Sequence, residues 1–252
     1  MKHVRFGGLR AIAVITLTLG AAGVALSQTG PNDPSKPAAN AWMLTPTPYL
    51  EWNKDIAPSV RAERDAFWDS GTFRRVPITS PSSVAPAVGG GLFSTYGPEI
   101  PDEPNRTIAT ATFTNHRSVL SASELSMYTE VTLRVGEVFD DRTGSGGLVP
   151  GRDITLLLRG GTVFLRSGQT LSSDIPPDEP TLALGHKYLL VMSYHPKGDF
   201  YTLSDDWDIS DGVVRPNTDR TRAFAKEGRS SLSGIKVQEL GTGLNKELYG
   251  QN

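Results

Sequence analysis

The acidic run Asp205-Asp206-Trp207-Asp208-Ile209-Ser210-Asp211-Gly212 carries the most suggestive spacing of side-chain oxygens in the chain. Asp206, Asp208 and Ser210 alternate as the first ligands of a calcium loop do, since oxygens two residues apart converge on one hard cation when the backbone turns. The pattern then breaks. Asp211 stands where the EF-hand takes glycine for its sharp turn, and no glutamate occupies the twelfth position. Two expectations stay open: weak calcium binding by Asp206, Asp208 and Ser210, or an acidic turn between two strands.

Other residue types offer less. Zinc catalysis asks for three protein ligands, and metalloprotease helices set two histidines four residues apart beside a glutamate. His116, His186 and His195 follow neither spacing. His186 and His195 bracket one expected strand, about 30 Å apart at a rise of roughly 3.3 Å per residue, too far to share an ion. There is no Gly-x-Ser-x-Gly, and Gly144-Ser145-Gly146 lies in a loop without the strand-to-helix elbow that exposes a nucleophile. Glu130 and Glu137, seven residues apart with a change of strand phase between them, read as strand decoration rather than as a catalytic pair. No catalytic residue and no cofactor site is assigned. Trp42, Trp52, Trp68 and Trp207, with Tyr194 and Tyr201, supply either a stacking surface for sugars or peptides, or core aromatics.

These candidates must be positioned by elements, and the run Met127 to Phe139 is the clearest of them. Val131, Leu133 and Val135 share one parity; Tyr128, Glu130, Thr132 and Arg134 share the other. Such alternation predicts a strand with one apolar and one wet face. After Gly136 the phase slips, which predicts a β-bulge and a strongly bent strand. Around it, strands are expected over Ile108 to Asn115, Asp153 to Leu158, Thr162 to Arg166, Tyr188 to His195 and Phe200 to Leu203, with a last short one at Val213-Val214. Tyr188 to His195 is apolar on both parities and is expected to be the most buried. Pro196-Lys197-Gly198-Asp199 makes the turn that follows it. A polar connection is expected between Asn115 and Met127, and another from Ser172 to Pro180. Pro58 at a first turn and Ser70-Gly71 at an end predict a short helix within Asp55 to Ser70, with Ile56, Val60, Phe67 and Trp68 near one face. Gly89-Gly90-Gly91 has no Gly-Lys-Ser/Thr after it and reads as a linker, with Phe93 and Tyr96 beyond it available to pin the segment on the core.

Five or six strands with glycine-marked bends over roughly 110 residues predict a mainly β chain: a small, OB-like, partly open barrel with one short N-terminal helix and loose flanks. Its domain plan is a signal peptide over 1–27, a proline-rich spacer over 28–50, a helix and extended segment over 51–104, the β domain over 105–216 and a polar C-terminal tail over 217–252 that partly packs back, its last ten residues frayed. Lys2, Arg5 and Arg10 precede the apolar run Ala11 to Leu26, and Ala25-Leu26-Ser27 suits cleavage before Gln28. Retention as an anchor is the competing reading, although the run is short for a span. The chain carries a formal charge of −2, and losing three cations with the leader leaves about −5, which argues against nucleic acid. No cysteine is present, so disulfides, thiolate sites and a lipid-modified cysteine are excluded.

The residues Tyr128-Thr129-Glu130-Val131, Val135-x-Glu137-Val138, Gly151-x-x-Ile154, Gly160-Gly161, Leu184-Gly185-x-x-Tyr188-Leu189-Leu190 and Asp211-Gly212 resemble those of a group of uncharacterised exported bacterial proteins. In outline they are similar to the OB-like barrels of netrin and tissue-inhibitor-of-metalloproteinase modules. The resemblance spans about residues 105 to 216 and departs from that pattern in having no cysteine. It implies a fold and a secreted or periplasmic location, and carries over no catalytic residue. The functional expectation is an exported, non-enzymatic interaction module for an envelope or extracellular protein or glycan, with no transmembrane span after cleavage. A secreted hydrolase built from separated loops and a purely structural envelope component are the alternatives.

Overall fold

The computed structural model describes residues 46–48, 56–70, 98–144, 148–173 and 181–250. The expected leader, nearly all of the spacer, Trp42, Trp52, the glycine triplet, Phe93 and Tyr96 lie outside the described residues. In chain order the elements are β1 (Thr47–Pro48), α1 (Pro58–Asp69), β2 (Arg106–Leu120), β3 (Met127–Asp141), β4 (Asp153–Arg159), β5 (Gly161–Phe164), β6 (Thr170–Ser173), β7 (Lys187–His195), β8 (Phe200–Asp208), β9 (Arg215–Pro216), α2 (Asp219–Lys226), a 3₁₀ turn (Val237–Glu239) and α3 (Leu240–Tyr249).

The main sheet runs β4-β3-β2-β7-β8-β9, and a parallel bridge between Leu156 and Tyr201 joins β4 to β8. The ring of hydrogen bonds therefore passes through five strands. The first barrel strand (β2) pairs antiparallel with the second (β3) and fourth (β7), while the third (β4) and fifth (β8) meet in parallel. This is an OB-like barrel, closed at that last junction by one bridge only. A second small sheet, β1-β5-β6, adds the Thr47–Pro48 pair in parallel to β5.

Curvature comes from the two long strands. Ala109 faces Val138 and Ala111 faces Val135, so Gly136 and Glu137 together oppose Thr110. The bulge falls where the phase slip predicts it. The Glu137 amide donates to Thr110 Oγ1 at 2.8 Å, and a Cβ on Gly136 would lie 2.5 Å from that oxygen. Further register shifts at Phe139 and Thr114 bend the pair again. A second close approach involves Gly161, at φ +139°, where a Cβ would meet Ser118 Oγ at 2.4 Å.

Inward-facing Ala109, Ala111, Phe113, Val131, Leu133, Val135, Ile154, Leu156, Leu158, Leu190 and Met192 fill the barrel. Outside, Leu189, Val191 and Trp207 are covered by Ile100, Leu232, Leu240 and Leu244. β7 is thus buried on both faces, as its composition requires. Three expectations need correction. The stretch His116 to Leu120 continues β2 rather than forming a connection. β6 begins at Thr170 and takes Ser172 and Ser173 from the Ser172 to Pro180 stretch read as loop. The C-terminal residues form α2 and α3, with Leu240 and Leu244 buried, so the last ten residues before Gln251 are largely helical and packed. Thr218 caps α2 through a reciprocal bond with Thr221, which stabilises eight residues too polar to announce a helix.

Gly136→Ala is expected to lower stability by about 1–3 kcal/mol, because Thr110 must rotate and abandon the Glu137 amide. A urea midpoint shift at unchanged slope would register it.

Candidate functional site

Beside the single-bridge junction of the barrel lies a cleft of about 270 Å³. Arg152, Asp153, Ile154 and Thr155 line it from the start of β4, and Tyr194, Asp199 and Tyr201 from the β7–β8 hairpin. The backbone of Arg152 is fixed by Val135, whose amide donates to its carbonyl at 2.9 Å, so the bulged end of β3 sets the cleft's rim. Asp153 forms a two-pronged ion pair with Arg134 across the β3–β4 ladder. Tyr194 and Tyr201 sit opposite one another with ring centroids 4.9 Å apart and planes tilted by 38°. The Tyr194 hydroxyl donates to Asp199 Oδ1 at 3.0 Å. Asp199 itself has φ +45°, a conformation uncommon outside glycine that costs on the order of 1 kcal/mol. Burial pushes the Tyr201 hydroxyl up to about 12, so it stays a neutral donor at physiological pH.

The expected aromatic set therefore divides. Tyr194 and Tyr201 line the cleft; Trp207 is fully buried under the C-terminal cover, and Trp68 is buried between α1 and the barrel.

The calcium candidates lie on an extended strand rather than in a turn. Asp206 pairs with Leu190 and Asp208 with Tyr188 inside β8, and Ser210 begins the following turn. Asp206 accepts from Asn217 Nδ2 through one oxygen, and among the described residues its Oδ1 has no hydrogen-bond partner. Asp208 accepts from the Ser210 amide at 2.8 Å and lies 3.1 Å from His186 Nδ1. The Ser210 hydroxyl accepts from the Lys187 amide at 2.9 Å. Among the described residues no group of three or more His, Cys, Asp or Glu side chains is placed to hold a metal.

His186 immediately precedes β7 and His195 is its last residue, so the two lie at opposite ends of that strand, as expected. His195 stacks on Phe200 at 4.5 Å and bonds Thr202, and burial lowers its pKa. The Asp208–His186 contact is half of a nucleophile-activating relay, but the neighbouring Ser210 hydroxyl is committed to the Lys187 backbone. Glu130 and Glu137 do not meet as a pair. Glu137 is exposed, while Glu130 is buried and held by Arg64 at 2.8 Å and Arg117 at 2.6 Å. The half of the β3 face carrying Tyr128 and Glu130 is therefore covered, not wet, while Arg134 at its other end is exposed as expected. Arg61, Arg64, Asp65 and Trp68 of α1 do the covering.

A second acidic group ties the C-terminal cover to β8. Asp205 accepts from Thr218 Oγ1 and Arg220; Glu99 accepts from Ser230 and Ser231; Glu247 shares Ser231 with it. Burial raises all three of the enclosed carboxyls: Glu99 upward, Asp205 to about 6 and Asp206 to about 7. Each folded value lies above the unfolded one, near 4. The contribution of Asp205 and Asp206 to stability is thus complete below about pH 4 and is lost as pH rises through 6 to 7, and Glu99 acts in the same direction. Chemical denaturation is expected to show a fold that weakens between about pH 4 and pH 7 and changes little above that. Asp206→Asn, which keeps the acceptor for Asn217 and removes the charge, is expected to flatten that slope and to be more stable than the parent at pH 8.

Comparison with protein-family models, with curated proteins and with solved structures returns no match for this chain.

Proposed function

We propose that the chain is an exported, non-enzymatic interaction module that holds one residue of an envelope or extracellular glycan or protein in the cleft beside the β4–β8 junction. The observation that carries this reading is the lining of that cleft: Tyr194 and Tyr201 with Arg152, Asp153, Asp199, Thr155 and Ile154 around about 270 Å³. That volume sits below the usual range for a drug-sized ligand, so it suits one ring or one side chain of a larger polymer. Tyrosine faces stack on sugar rings and planar groups at low entropic cost, while Arg152 and Asp199 offer donors and acceptors for hydroxyls. Small OB-type barrels commonly take ligands on the barrel surface beside their loops, which favours the same reading. Among the described residues no helix is long and apolar enough to cross a membrane.

An array of mono- and oligosaccharides and short peptides, followed by titration calorimetry on any hit, tests the proposal. Tyr194→Ala is expected to weaken the hit roughly three- to tenfold, the loss of about 0.5–1.5 kcal/mol of stacking, and Arg152→Ala to weaken it further. A hit indifferent to both substitutions, or one that the protein turns over, would overturn it.

A further inference from the structure

Helix α1 is attached to the barrel in an unusual manner. It spans the two turns at β2–β3 and β7–β8 and lies on the outer face of the strands between them. Arg61 Nη2 donates to the Leu120 carbonyl at 2.8 Å. Arg64 donates to the Gly198 and Asp199 carbonyls and to Glu130, each at 2.8 Å. Asp65 accepts from the Ala122 amide at 3.0 Å and from the Tyr128 hydroxyl at 2.9 Å. Asp69 accepts from Ser123 and Ser126. Apolar contact is confined to one end, where Trp68 stacks on Tyr128 and Phe67 meets His195 and Phe200.

Three features separate α1 from the core. The interior cluster contains no α1 residue, and the five-strand ring closes without it. The helix has no side-chain N-cap bond and only twelve residues, a length at which an isolated helix is marginal in water. Its buried stripe, Arg61, Arg64, Asp65 and Trp68, follows the i, i+3, i+4, i+7 spacing of a docking face, yet three of the four are charged. Buried ion pairs of this kind add little net stability, because desolvation offsets much of their attraction. The barrel side is correspondingly acceptor-rich: three carbonyls and the Glu130 carboxylate over an aromatic floor of Tyr128, Phe200 and His195.

We propose that this outer face is a recognition surface for an arginine-bearing helix, and that α1 is its cis ligand, docked reversibly on an independently folded barrel. The inference concerns a different face from the cleft and does not need the cleft to bind anything. When α1 leaves, the guanidinium acceptors and the aromatic floor are presented together to a helix of another molecule with the same Arg-x-x-Arg-Asp-x-x-Trp order.

Native-state hydrogen exchange on the full chain is the first test. Amides of α1 are expected to exchange through an opening that leaves the β2, β3 and β7 amides protected; exchange of α1 only together with those strands would overturn the proposal. The second test titrates a fluorescent peptide of residues 56–70 onto the full chain and onto its Arg64→Ala variant. The peptide is expected to bind the variant at least about tenfold more tightly than the parent, whose face is filled in cis, and the peptide carrying Arg64→Ala is expected to bind neither. Equal binding to both chains, no binding to a variant whose strands remain protected, or loss of strand protection in the variant would each overturn it.

Discussion

The architecture depends on the bending of one antiparallel pair. β2 and β3 run side by side for fifteen residues each, long enough that a flat pair would carry their far ends away from the rest of the sheet. Extra residues at Gly136–Glu137, Phe139 and Thr114 tilt the pair so that one half of β2 reaches β7 while β3 reaches β4. Those neighbours then meet through β8 at Leu156 and Tyr201. A ring that closes with a single bridge leaves edge backbone on both sides of it, and the cleft lies beside that junction.

Around this frame the chain applies two different kinds of cover. Over β2, β7 and β8 the cover is apolar, from Ile100, Leu232, Leu240 and Leu244, with the enclosed carboxyls Glu99, Asp205 and Asp206 at its margin. Over the start of β3 and the two flanking turns it is largely ionic, from Arg61, Arg64 and Asp65. The first resembles a core extended outward. The second resembles an interface, with more charge-assisted hydrogen bonds than aromatic contacts.

What the sequence discloses follows from the same physics. The alternation in Met127 to Phe139, the slip at Gly136 and the doubly apolar β7 are local patterns, and each sits in the fold as its pattern demands. The OB-like barrel was legible from them. β2 was legible only to Asn115, since His116, Arg117 and Ser118 look solvated until Arg117 is paired with Glu130 and Ser118 is placed beneath Gly161. The docking face of α1 was hidden because charged residues are ordinarily read as wet; the clue was the helical spacing of Arg61, Arg64, Asp65 and Trp68. Asp206 was legible as an oxygen ligand and not as a buried carboxyl, because strand parity beyond the irregularity at Ser204 cannot be counted from residue types. Arg152 and Asp199 become cleft residues only through the β4–β8 junction, a contact between segments more than forty residues apart in the chain.

Asp199 belongs to both surfaces. Its carboxylate receives the Tyr194 hydroxyl inside the cleft, and its carbonyl receives Arg64 from α1, with the backbone between them held at φ +45°. One strained residue thus has its side chain in one site and its main chain in the other. Under thermodynamic reciprocity, any effect of cleft occupancy on the docking of α1 must equal the effect of α1 docking on affinity in the cleft. Such a coupling would run through the four-residue turn ending at Asp199, whose contacts reach both faces.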